Sequence, residues 1–279
     1  MIIVGLKGGL GNQLFQYVFG RYLSMVNKCK VKFTIIKPAA CETPRKFRLD
    51  NFNTCIKFAT EEEVLGLRKT NIPLFKKIIS KLFKKYNVGY QKISLDLKDT
   101  YMEGFWQTYK YSERIRNMLI PELTLKIPVE VKYQDLVFKI CSHNSVSIHI
   151  RRGDYISDPK TNKMHSTIDI EYYKRAIKII GEKIPEPAFF IFSDDIEWVK
   201  KNLKISSPTT FVSNPQMEDF EELILMSKCK NNIIANSSFS WWAAWLNQNP
   251  NKVVIAPKKW FNNIKINVDD LLPSDWIKI

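Results

Sequence analysis

Short apolar runs alternate with longer amphipathic stretches along most of the chain. MIIVG at the start is a continuous apolar run, the pattern of a strand buried on both faces. The glycine turn KGGLGN follows. In the next stretch, QLFQYVFGRYLSMVNK, Leu14, Phe15, Val18, Tyr22 and Met25 recur at helical spacing. VKFTII then reads as a second strand. Strand, turn, helix and strand make a βαβ unit, and such units build parallel sheets. The middle is less regular. Residues 60–86 read as helical, 87–109 as short strand-like pieces among aromatics, and 111–119 as helical again. Pro121 and Pro128 mark a boundary region.

The second half returns to a regular beat. VSIHI, PAFFIF, TTFVS, NNIIAN and KVVIAP read as strands, separated by the helical stretches IDIEYYKRAIKIIGEK, IEWVKKNL, MEDFEELILMSKC and SFSWWAAWLNQ. Such alternation predicts an α/β fold with a doubly wound sheet. Two α/β halves are expected, residues 1–130 and 131–279. In open sheets of this kind ligands sit at the carboxyl ends of strands, so polar residues there are the candidates for a site.

Several clusters fall at such ends. In KGGLGNQ, Gly8, Gly9 and Gly11 let backbone N–H groups approach an anion at a helix N-terminus, and Asn12 and Gln13 add amide groups. The spacing fits neither a P-loop nor a dinucleotide fingerprint, and a plain strand-to-helix turn explains it equally well. In HIRRGDY, strand alternation puts Val146, Ile148 and Ile150 on one face and Ser147, His149 and Arg151 on the other. Arg151 then lies at the strand end, where a guanidinium fork matches phosphate. Asp154 either orients an arginine or accepts a proton; an ion-paired strand cap is the alternative. In NSSFSWWAAWL, the Asn236, Ser237 and Ser238 side chains and the first helical N–H groups form a second anion cradle, or an ordinary N-cap. Trp241, Trp242 and Trp245 read as core. In FSDD, Ser193 or Asp194 caps the next helix, or a carboxylate meets a base edge or ribose.

Composition narrows the partners. With 279 residues, 45% of them hydrophobic, the chain supports one large or two medium folded domains. The net charge of +15 favours phosphate-rich partners: nucleic acid, anionic lipid or a nucleotide substrate. Residues 68–85, RKTNIPLFKKIISKLFKK, are rich in basic groups and hold no acid. They form either a helix that touches an anionic membrane or a solvated face over an ordinary core stripe. Three histidines, His143, His149 and His165, argue against His-rich zinc chemistry. An odd set of five cysteines without CxxC suggests a reduced, cytoplasmic protein. No DxD motif occurs to hold a divalent metal on a diphosphate. A basic nucleic-acid-binding protein is the rival class, but no recognised nucleic-acid module is present.

Taken in order, GGLGNQLFQY, HIRRGDY, FSDD, NSSFSWWAAWL and the closing LLPSDWIKI resemble the bacterial α-1,2-fucosyltransferases of glycosyltransferase family 11. The resemblance runs from residue 5 to the C-terminus, and residues 40–100 are not diagnostic. It implies a GT-B-like pair of Rossmann-like domains facing a central cleft, with the acceptor side in the first and GDP-fucose in the second. It also implies inverting transfer of L-fucose from GDP-β-L-fucose to the 2-hydroxyl of a galactoside, with no obligatory metal. The setting would be O-antigen or other surface polysaccharide synthesis. A fucosyltransferase of another linkage, or another nucleotide-sugar transferase, is the alternative. Carried over, Arg151 contacts the pyrophosphate and Arg152 supports the site. Ser238, Phe239 and Ser240 line the diphosphate pocket, Asp194 lies near the guanosine, and Asn12 and Gln13 face the sugar. His149 and Asp154 are the candidates for the group that takes the acceptor proton. The expected partners are GDP-fucose and a galactose-containing, lipid-linked acceptor. The expected location is the cytoplasm, with peripheral contact at the inner face of the membrane.

Overall fold

A computed structural model describes residues 1–37, 45–70, 88–92, 99–153, 168–262 and 269–279. Asp154, His165 and most of the basic segment (71–85) lie outside the described residues. The chain forms two compact units: Met1–Lys126 with Asn267–Leu271, and Ile127–Ile266 with Leu272–Ile279.

The first unit is built on a parallel sheet in the order β2-β1-β3, with β1 at Ile2–Leu6, β2 at Val31–Ile35 and β3 at Thr100–Met102. All five residues of β1 are buried, as its unbroken apolar run requires of a central strand. Helix α1 (Leu10–Asn27) crosses from β1 to β2. It passes so close to the sheet that a Cβ on Gly20 would lie 2.6 Å from the Phe33 ring, so only glycine fits there. Helix α2 covers Glu61–Thr70, and α3 (Tyr109–Arg114) and α4 (Arg116–Glu122) follow β3. Pro121 sits inside α4 rather than beyond it. The buried carboxylate of Glu122 accepts from the Tyr17 hydroxyl and from the Arg21 guanidinium, tying α4 to α1. The Tyr17 hydroxyl in turn accepts from the Cys55 backbone N–H at 2.9 Å.

The second unit opens with α5 (Glu130–Ser142), a helix that the sequence pattern did not announce. A six-stranded, fully parallel sheet follows, ordered β6-β5-β4-β7-β8-β9. Its strands are β4 (Asn144–Ile150), β5 (Pro187–Ser193), β6 (Thr209–Phe211), β7 (Asn231–Ile233), β8 (Val254–Ala256) and β9 (Ile277–Lys278). Helices α6 (Ile170–Lys183), α7 (Ile196–Asn202), α8 (Asp219–Lys228) and α9 (Ser238–Leu246) connect them. Strand β4 keeps the expected alternation. Val146, Ile148 and Ile150 pack with Tyr172, Tyr173, Ala176 and Ile180 of α6. On the opposite face the buried serine hydroxyls are hydrogen-bonded. Ser145 Oγ accepts from Lys230 N–H at 3.0 Å, and Asn232 Nδ2 donates to Ser147 Oγ at 2.7 Å. Counted from β4, the strand order is 3-2-1-4-5-6, that of a doubly wound nucleotide-binding sheet. The order reverses direction between β4 and β7. A crevice opens at such a reversal, outside the carboxyl ends of the two strands, and ligands bind there.

Candidate functional site

Two of the sequence motifs leave the sheet at this reversal. HIRRG ends β4, and NSSFSWW runs from β7 into α9. A direct contact joins them, because the His149 and Phe239 rings lie 5.4 Å apart.

The turn after β4 is held by Asp194, which follows the neighbouring strand β5. One carboxylate oxygen accepts from the Arg152 backbone N–H at 2.9 Å; the other accepts from the Gly153 N–H at 3.0 Å. The Arg151 guanidinium pairs with that second oxygen at 2.9 Å. A Cβ on Gly153 would lie 2.6 Å from it, so the glycine is what lets the carboxylate dock on the turn. Both Asp194 oxygens therefore act as acceptors of protein N–H groups. Asp195, not Ser193 or Asp194, caps α7, accepting from Trp198 N–H at 3.2 Å. Its other oxygen accepts from Arg152 Nε at 3.2 Å, and the Arg152 guanidinium lies 3.5 Å from the centre of the Trp198 ring. Two adjacent guanidinium groups are thus fixed on separate carboxylates, each still partly exposed.

His149 is buried, and its Nδ1 has no hydrogen-bond partner among the described residues. Burial lowers its pKa to about 3, and the positive charge of Arg151 pushes the same way. At neutral pH it is a neutral imidazole.

Across the reversal, Ser237 caps α9, its hydroxyl accepting from the Phe239 N–H at 3.3 Å. Ser238 and Phe239 are half-buried, while Ser240 is fully buried. The Ser240 hydroxyl turns back to the carbonyls of Ala235 and Ser237. One helical turn beyond the cap the side chain points into the unit, so Ser240 packs the helix and does not line a surface pocket. Asn236 is buried, with Nδ2 donating to the Trp260 carbonyl at 3.1 Å. The Trp241, Trp242 and Trp245 side chains are core, as expected.

Asn12 and Gln13 belong to the first unit. Gly8, at φ +78°, makes the turn out of β1. Gln13 is buried, and its Nε2 donates to the carbonyls of Gly8 at 2.9 Å and Lys46 at 2.8 Å. Its oxygen accepts from the Arg48 N–H at 3.0 Å. Both amide hydrogens are in use, so Gln13 braces the glycine turn instead of presenting a donor to a sugar. Asn12 is half-buried, and its Oδ1 accepts from Gln107 Nε2 at 2.8 Å.

One residue of the site escaped sequence reading. Glu222 sits on α8, hydrogen-bonded to the Ser213 side chain, within electrostatic reach of Asp194, Asp219 and Arg151. Burial is the main cause that pushes its carboxyl up to about 7, and the two aspartates add to it. Within MEDFEELILMSK it looks like any acid on an amphipathic helix. Only the fold brings it near Asp194 and Arg151, which follow β5 and β4.

Chemically, the carboxyl edge of this sheet offers two guanidinium groups and a serine-capped helix N-terminus on either side of one topological switch. That combination suits an anion with two phosphoryl groups.

Comparison with known proteins gives the family. The model of glycosyl transferase family 11 matches residues 1–279. The O-antigen biosynthesis glycosyltransferase WbnK of Escherichia coli is 34% identical, the match covering 98% of this chain and 99% of that protein. An α-1,2-colitosyltransferase of Escherichia coli is 33% identical over 100% of this chain and 99% of that protein. Among solved structures, the fucosyltransferase NodZ from Bradyrhizobium superposes with a TM-score of 0.56 at 13% identity, covering 88% of this chain and 92% of that one. At that identity the likeness speaks for the fold alone. A family match over the full length, with two relatives aligned end to end, shows that this chain is a glycosyltransferase and belongs to glycosyl transferase family 11.

Proposed function

We propose that the second unit binds GDP-β-L-fucose at the β4/β7 switch, and that the enzyme transfers L-fucose with inversion to the 2-hydroxyl of a galactoside in surface polysaccharide synthesis. The observation that carries this reading is the pairing of Arg151 at the end of β4 with the serine-capped start of α9 beyond β7. In this mechanism the bond from fucose to the diphosphate loosens first, and negative charge grows on the leaving oxygens. Arg151 and the first N–H groups of α9 stabilise that charge, so the diphosphate is neutralised by the protein without an obligatory metal. Asp194 holds the Arg151 guanidinium in place, and Arg152, anchored on Asp195 and Trp198, supports the same turn. We assign the neutral His149 a positioning role, since a proton taken up there would have to sit on a buried imidazole beside a guanidinium. The acceptor hydroxyl attacks from the face opposite the diphosphate. A lipid-linked acceptor and contact with an anionic membrane complete the proposal. No helix among the described residues is long and apolar enough to cross a membrane.

The colitosyltransferase relative favours a second reading of the donor. Colitose is L-fucose without its 3-hydroxyl. A site that hydrogen-bonds that hydroxyl rejects the deoxy sugar by about 10⁴-fold, and one that packs against it discriminates by roughly 10²-fold at most. Turnover of GDP-fucose and GDP-colitose on the same galactoside, with the product linkage read by NMR, decides between them. Preferred turnover of GDP-fucose into an α-1,2 product is expected. Turnover of GDP-colitose alone would replace the donor, and neither reacting would overturn the proposal.

A further inference from the structure

We propose that Glu222 is a positioning residue of the donor site: it takes up a proton when the diphosphate binds, and it acts on the diphosphate through Arg151. The inference rests on the reading that a diphosphate lies on Arg151.

The placement comes from a chain of hydrogen bonds. The N–H of Ser193, the last residue of β5, donates to Ser213 Oγ at 2.9 Å. The Ser213 side chain hydrogen-bonds Glu222. The residue after Ser193 is Asp194, the partner of Arg151. Glu222 is therefore linked through two hydrogen bonds to the strand end that carries the arginine's anchor.

The surrounding charges are unequal. The negative charges of Asp219, one turn earlier on α8, and of Asp194 both act to raise the Glu222 carboxyl, and the positive charge of Arg151 opposes them. Helix α8 also packs against α5, α9 and β5. From α5, Lys132 and Tyr133 bond to Glu221 and leave Glu222 aside. From α9, SFSWWAAWL contributes no ionisable side chain. Burial, with the two aspartates adding to it and Arg151 opposing, pushes Glu222 up to about 7. Near neutral pH it is divided between its two forms.

A bound diphosphate changes the balance. It brings further negative charge to Arg151 and takes up part of that cation's field. Both effects disfavour an ionised Glu222, so its proton affinity rises on binding. By linkage, the complex takes up protons and donor affinity falls as pH rises through and above 7. If binding raises the Glu222 pKa by about one unit, about half a proton is taken up at pH 7.5, and affinity falls about 6-fold between pH 6.5 and 8.5.

GDP-fucose suits the test because its pyrophosphate diester exchanges no proton near neutral pH. Calorimetric titration into the full chain, without acceptor, is run at pH 7.5 in two buffers of different ionisation heat. Proton uptake by the wild type, lost in Glu222→Gln and restored in Glu222→Asp, is the expected result. Binding without uptake would overturn the inference while leaving the donor site standing. Uptake that persists in a folded Glu222→Gln would assign the proton elsewhere and overturn it too. Failure of the wild type to bind GDP-fucose would remove the donor-site reading and this inference with it. If the variants do not fold, a wild type that binds GDP-fucose without taking up a proton still overturns the inference.

Discussion

Replacing Asp194 by Asn separates two jobs that this carboxylate has been given. In the structure both of its oxygens accept: one from Arg152 N–H, the other from Gly153 N–H and the Arg151 guanidinium. Asn is the same size but offers one oxygen and one NH₂ group. If its oxygen faces Gly153 and Arg151, the NH₂ points at the Arg152 N–H; the opposite flip sets two donors against it. Either way the negative charge that Asp194 sets against Arg151 is gone. A charge-assisted hydrogen bond contributes about 1.5–3 kcal/mol. The pair is partly exposed, so we expect a stability loss nearer about 1–2 kcal/mol. The larger effect is on catalysis, because a guanidinium displaced by about 1 Å loses on the order of 10² in rate. The assay is steady-state GDP release, repeated with the inosine analogue of the donor. If Asp194 anchors Arg151, kcat/KM falls by about 10²-fold for both nucleotides alike. If instead the carboxylate reads the guanine, wild type discriminates against the inosine donor and the variant does not. Unchanged kinetics in a folded Asp194→Asn would refute the anchoring argument.

Further expectations concern stability and pH. Glu122→Ala leaves Tyr17 and Arg21 without their buried acceptor, and a loss of about 3 kcal/mol, or about 5–10 °C in Tm, is expected by calorimetry. His149 has its folded pKa lowered from 6.5 to about 3, so its contribution is complete above pH 6.5 and is lost as pH falls toward 3. Thermal melts from pH 7 to 4 should therefore decline less steeply in His149→Gln than in the wild type, and parallel slopes would contradict the burial argument. Glu222 has the opposite sign: its folded pKa is raised from 4.5 to about 7, so stability is lost as pH rises through that window. Glu222→Gln should raise Tm relative to the wild type at pH 8, by about 2 kcal/mol in stability, and leave it nearly unchanged at pH 4.

Much of this was legible in the sequence because strand ends announce themselves. An apolar run that stops at Arg151, or at Asn236 before two serines, marks both the strand and the residues placed at its carboxyl end. Alternation along VSIHI assigned each side chain to a face because a period of two leaves no freedom. Strand order was not legible, since pairing β4 with β7 joins residues some 85 positions apart, and no local pattern records it. For the same reason nothing in MEDFEELILMSK sets Glu222 apart from its acidic neighbours. The hydrogen bonds of Gln13 and Ser240 are hidden from the sequence for another reason. An amide at a glycine turn and a hydroxyl near a helix start look like ligand groups, but a carbonyl 33 residues away and the turn of the helix claimed them instead. Helix α5 was missed because Val131 and Phe138 are exposed at 76% and 74%, so its apolar positions do not trace a buried stripe. The strand β9 is two residues long and reads as a tail.

The role proposed for Arg151 is to stabilise the departing diphosphate at the β4/β7 switch. GDP release from GDP-fucose with a galactoside acceptor, in excess EDTA, tests it directly in the wild type and in Arg151→Ala. An active wild type and a folded variant reduced by about 10²–10³-fold in kcat are expected. A folded Arg151→Ala that turns over at the wild-type rate would contradict the account and leave the two arginines as an ion-paired end to a strand.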